Sequence, residues 1–93
     1  MKYPLIIAIL FSSTFSFAQY NSASIDKKAV NLYNKGLQAA QDYNYKDAIT
    51  ILKQAVEVNN NYADAWLSMA GIYGEVKNYQ EAVAAYNKAK AIE

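Results

Sequence analysis

Few side chains in this 93-residue protein could do chemistry, and each lacks a companion. Ser24 and Ser68 carry hydroxyls that could attack a carbonyl or phosphoryl centre. A serine nucleophile needs a base to take its proton, and here there is no histidine and no lysine at a convincing spacing. The two serines read as a cap and a helix-face residue. Asp42, Asp47, Glu75 and Glu81 could supply a carboxylate pair for acid–base work. Asp47 and Glu81 instead fall where helices are expected to start, and Asp42 and Glu75 read as solvated. The run Asn59-Asn60-Asn61 offers oxygen ligands to calcium, but no acid-rich loop accompanies it, so it reads as a turn. Gly71-Ile72-Tyr73-Gly74 lacks the strand that precedes a phosphate loop and falls inside a helical pattern. Its glycines suggest close backbone approach on an inner face. Tyrosines and Trp66 could form an aromatic cage, yet most sit where packing is expected.

Composition removes further options. There is no cysteine, hence no disulfide and no thiolate metal site, and no arginine to clamp phosphate or carboxylate. Nine basic residues oppose eight acidic ones, which gives no basic face for nucleic acid. The residue types therefore predict a non-catalytic protein without cofactor or metal.

The elements that would position a binding surface begin after residue 18. Before it, Lys2, the apolar run Leu5–Phe11 and the small residues of Ser16-Phe17-Ala18 form the three parts of a secretory signal peptide. The apolar stretch from Pro4 to Ala18 is shorter than the ~20 residues that span a bilayer. Cleavage after Ala18, export, and no membrane span in the mature chain are expected. Residues 19–24 read as a polar leader, and residues 25–93 as the folded domain.

That domain repeats. A shift of 34 residues lays Leu32 on Trp66, Gly36 on Ala70, Ala48 on Ala82, Leu52 on Tyr86 and Ala55 on Ala89. A half-period of 17 residues repeats Asn-Tyr-x-acid-Ala at Asn44, Asn61 and Asn78. Asparagine suits a helix N-cap, and an acid three residues on suits a capping box and the positive helix end. The pattern predicts four helices, about Ile25–Gln41, Tyr45–Val58, Tyr62–Val76 and Tyr79–Ile92. Short turns make consecutive helices antiparallel. Lys53, Lys88 and Lys90 are placed towards negative helix ends.

On these residues the chain resembles the tetratricopeptide repeat family. Residues 63–93 carry the family's pattern in Trp66, Met69, Ala70, Tyr73, Ala82, Tyr86 and Ala89. Residues 29–62 carry it in Leu32, Gly36, Ala48, Leu52 and Ala55. Lys35, Ala39 and Asn60 depart from it. The resemblance implies an all-α fold of two helix-turn-helix hairpins in a short right-handed solenoid; the capping helix that such a stack calls for is not expected here, since no further helical pattern follows Ile92. It also implies a concave groove lined by Val30, Tyr33, Leu37, Ala40 and Gln41, then Asp64, Leu67, Gly71, Gly74 and Glu75. Such a groove would accept an apolar or amphipathic protein segment, and with Tyr33 and Leu37 would differ from the lysine- and asparagine-bearing clamp that some members use for chaperone tails. The signal followed by a repeat pair is also similar to the start of larger Bacteroidetes-type envelope proteins. The alternative expectation is accordingly an assembly module or part of a longer envelope protein. Its last helix carries Ala82, Val83, Tyr86, Ala89 and Ile92. Of these, Val83, Tyr86 and Ile92 should form an exposed strip that packs on further repeats, a partner or a second copy.

Overall fold

Apolar residues at helical spacing can be buried by a chain this short only if its helices pack face to face. The computed structural model describes residues 26–92. The expected signal peptide and leader lie outside these residues. Among the described residues there are four α-helices and no strand: α1 Lys27–Gln41, α2 Tyr45–Val58, α3 Ala63–Glu75 and α4 Tyr79–Ile92. The first helix starts two residues later than expected, and the third is one residue shorter at each end. Helices α1 and α2 pack as one hairpin and α3 and α4 as another; α3 then packs on α2 and, more lightly, on α1.

Small residues set the closeness of these contacts. Ala29, Ala48, Ala55, Ala65, Ala85 and Ala89 are all buried, and Leu52 is the largest side chain that is fully enclosed. Gly36 on α1 faces Leu52 on α2. A Cβ there would stand 2.7 Å from Leu52 Cγ, so the glycine makes room for the leucine. The close approach expected of Gly71 and Gly74 is not found. Nothing lies within 4 Å of a Cβ built at either position, because both face away from the packed side of α3. Their cost to the helix, roughly 1 kcal/mol each against alanine, is not offset by packing.

The turns also differ from the asparagine caps predicted. Asp26 caps α1, its carboxylate accepting from the Lys28 N–H at 2.7 Å. Asn44 makes no side-chain cap bond, and the N-cap of α3 is Tyr62, not Asn61. Order comes instead from the ends of the preceding helices. The Asn44 N–H donates to the Ala39 carbonyl and the Tyr43 N–H to Ala40, both at 2.9 Å. The second hairpin repeats this, with Asn78 to Tyr73 at 2.8 Å and Lys77 to Gly74 at 3.0 Å. These are Schellman turns, whose left-handed residue is usually glycine. Here it is Tyr43 (φ 63°) and Lys77 (φ 64°).

Between the hairpins the asparagine run does form a turn. Asn59 Oδ1 accepts from the Asn61 N–H at 3.0 Å, and the Asn59 carbonyl accepts from the Tyr62 N–H at 3.2 Å. The Trp66 indole N–H donates to the Asn60 carbonyl at 3.0 Å and ties the turn to the first turn of α3. Of the lysines placed near helix ends, only Lys90 lies in a last turn. Lys88 sits over the Trp66 ring, 5.6 Å from its centroid, as a cation–π contact between α4 and α3.

Candidate functional site

The surface on which binding was expected is built by α1 and α3, the first helices of the two hairpins. Its registration depends on an aromatic link. The rings of Tyr33 on α1 and Tyr62 at the start of α3 lie 5.1 Å apart, tilted by 43°. The Ser68 hydroxyl approaches the Tyr33 hydroxyl at 3.4 Å, a long contact for two hydroxyls. Tyr33 thus brings its line of α1 beside the part of α3 that holds Leu67 and Ser68. Tyr62 is not among the residues that the family frame assigns to the groove. Its signal in the sequence is the Asn-Tyr repeat, whose tyrosines meet different fates: Tyr62 is buried, Tyr45 half-buried and Tyr79 exposed.

The other groove residues fall into two groups. Val30, Leu37 and Ala40 on α1 and Gly74 on α3 are half-buried, as is Tyr33; Val30, Tyr33 and Ala40 also pack against the core. Gln41, Asp64, Leu67, Gly71 and Glu75 are exposed, and Leu67 keeps 44% of its surface in water. The first helix therefore offers an apolar, partly sunken side. The third offers one protruding leucine, two glycines and two carboxylates. Burial, then the neighbouring Tyr33 phenol and Asp64 carboxylate, push the Tyr62 phenol above its ordinary pKa of 10.0.

The side chain that Ser68 faces is the Tyr33 phenol. Among the described residues no cluster of acids could hold a metal ion, and no helix is long and apolar enough to cross a membrane.

A second exposed surface lies on α4. Tyr79, Val83 and Tyr86 expose 63%, 58% and 51% of their surface. Their spacing places them on one face. The strip differs in membership from the one expected. Tyr79 joins it, Ile92 is half-buried, and the buried side of α4 is made by Ala85 and Ala89.

Two antiparallel helical hairpins in a 34-residue frame, joined by short turns and stacked through α3 on α2 and, more lightly, on α1, define an α-helical repeat protein. The chain belongs to the tetratricopeptide repeat family, whose model matches residues 39–93, from the last turn of α1 through α4. No curated protein matches the chain as a relative. Tetratricopeptide repeats generally mediate protein–protein interaction and serve as non-catalytic scaffolds.

Proposed function

We propose that this protein is an exported, non-catalytic scaffold that holds an apolar or amphipathic segment of a partner protein between α1 and α3. The observation that carries the reading is Leu67. Leu67 on α3 is exposed, and its chain neighbour Ser68 lies with its hydroxyl 3.4 Å from that of Tyr33 on α1. An extended or helical segment laid there would cover Leu67 and Leu37, with Asp64 and Glu75 as an acidic flank that favours a basic residue at the segment's edge. Each apolar side chain covered supplies about 1.5–3 kcal/mol before the cost of ordering the segment.

The test uses a library of short apolar and amphipathic peptides, with binding of selected members followed by fluorescence anisotropy. Leu67→Glu combined with Leu37→Ala is expected to abolish binding with helicity unchanged. Tyr33 is left intact because its loss would also disturb the link to Tyr62. Binding that survives these substitutions sinks the groove reading. Export is tested separately: the mature protein should begin at Gln19 by mass spectrometry, and Met1 on a membrane-bound mature form would reject cleavage.

A second reading is favoured by the strip on α4. Tyr79, Val83 and Tyr86 offer an uncovered apolar face suited to further repeats, a partner helix or a second copy within an envelope assembly. Under this reading Val83→Ser with Tyr86→Ser removes association, and the groove substitutions do not.

A further inference from the structure

The second helices of the two hairpins, α2 and α4, do not pack on one another. A cleft of about 610 Å³ opens between them, and it shares no residue with the groove described above. Tyr45 and Ile49 on α2, with Tyr73 and Val76 at the end of α3, form the apolar part of its lining, and Thr50 and Asn78 add polar groups. Its rims are charged in opposite senses. Lys46 and Lys53 stand on the α2 side and Glu81 on the α4 side. Both lysines are exposed, and neither forms an ion pair among the described residues. They are seven residues apart on one face of α2, which is two helical turns or about 10.5 Å.

We propose that this cleft is a second docking site, and that its occupant is an amphipathic helix of a partner protein with acidic residues two turns apart along one edge. The apolar side of that helix would cover Ile49 and Val76. Its acids would meet Lys46 and Lys53 at matching spacing, and a cation on its other edge would meet Glu81. The charges fix the direction and rotation of the guest, and the apolar lining supplies the contact area. A second copy of this chain is a poorer match. Its most acidic helix, α3, carries Asp64 and Glu75 eleven residues apart and is committed to packing on its neighbours.

The test uses a fluorescein-labelled helical peptide with leucines at i, i+3, i+4 and i+7, two glutamates seven residues apart on one edge and a lysine on the other. A twin carries lysine for each glutamate and glutamate for the lysine. The intact protein should bind the acidic peptide and not its twin, with affinity falling as salt rises. Lys46→Glu with Lys53→Glu should weaken the acidic peptide about tenfold, as expected for reversing two exposed ion pairs, and should gain binding of the twin. Both positions are exposed, and an acid at 46 suits the start of α2. Should helicity nonetheless fall, Lys46→Gln with Lys53→Gln is used, with a loss of about threefold. Leu67→Glu should leave this binding unchanged, which separates it from the groove. The proposal is overturned by absence of binding to the intact protein, by binding indifferent to the lysine substitutions, or by loss on Leu67→Glu. It is also overturned if sedimentation shows that the cleft is filled by a second copy that excludes the peptide.

Discussion

The two hairpins share one residue frame and end with different surfaces. In the first, Leu52 is fully enclosed, Gly36 is buried beneath it, and Tyr45 and Ile49 are half-buried. In the second, the residues 34 positions later are Tyr86, Ala70, Tyr79 and Val83. Three of these are more than half exposed, and Ala70 is half-buried. The residue types at these positions are similar in polarity, so intrinsic hydrophobicity does not explain the difference. Their neighbours do. Helix α3 packs against α1 and α2, and no described helix stands in that relation to α3 and α4. Burial in a repeat protein follows place in the stack as well as sequence.

The widest gap between equivalent positions is expected at Leu52 and Tyr86. Leu52→Ala should cost about 2–5 kcal/mol of unfolding free energy, because it empties a fully enclosed site. Tyr86→Ala should cost under about 1 kcal/mol, since half of that side chain already meets water. Chemical denaturation of the two variants checks this; similar losses would break the comparison.

The glycines sharpen it. Gly36→Ala should destabilise by about 1–3 kcal/mol, because its Cβ collides with Leu52. Gly71→Ala and Gly74→Ala should each stabilise by roughly 0.5–1 kcal/mol, since each Cβ meets open space in a helix. Shifts in the denaturant midpoint of opposite sign are the expected result.

The Schellman turns offer a matched pair. Tyr43→Gly and Lys77→Gly relieve a left-handed backbone, and each should gain up to about 1 kcal/mol. Lys77→Gly should gain more, because Tyr43 also packs edge-on against Tyr45 with ring centroids 6.2 Å apart. Thermal melts of the single variants rank the two.

A smaller effect concerns alkaline pH. Burial favours the protonated Tyr62 phenol in the folded protein above 10.0, where an unfolded tyrosine is already more than half ionised. The unfolded state then binds fewer protons, so this contribution is fully present below that pH and is lost as pH rises through the folded-state value. Tyr62→Phe should therefore flatten the fall in stability between about pH 9 and 11. Urea titrations at several pH values read this directly, and unchanged pH dependence in the variant would remove Tyr62 from the account.

Much of this was legible before the structure. The 34-residue echo and the Asn-Tyr motif located all four helices, because repetition and apolar spacing are strong periodic signals. The asparagine turn was readable from composition alone. The motif misled on mechanism. Asn44 and Asn61 mark where helices begin without capping them by side chain, since the chain is already turned by Schellman bonds in one case and by the Asn59 turn in the other. Nothing about Tyr43 or Lys77 announces a left-handed backbone. Among the glycines, spacing within α3 does not distinguish Gly71 and Gly74, which face open space, from a glycine in close contact; that distinction needs the partner side chain, as Leu52 supplies for Gly36. The proposed groove followed from matching residues to the family frame, and the role of Tyr62 in registering α1 against α3 required the ring geometry.

The central claim is that α1 and α3 together present the surface that receives a partner. Position-specific photo-cross-linking in the cells that produce the protein tests it most directly, with a photoreactive phenylalanine placed in turn at Leu67, at Tyr86 and at the polar, exposed Gln38. The account predicts a discrete adduct with another polypeptide from position 67, lost on Leu37→Ala, and none from position 38. Adducts from position 86 alone, with position 67 silent, would contradict it and assign the interaction to the last helix.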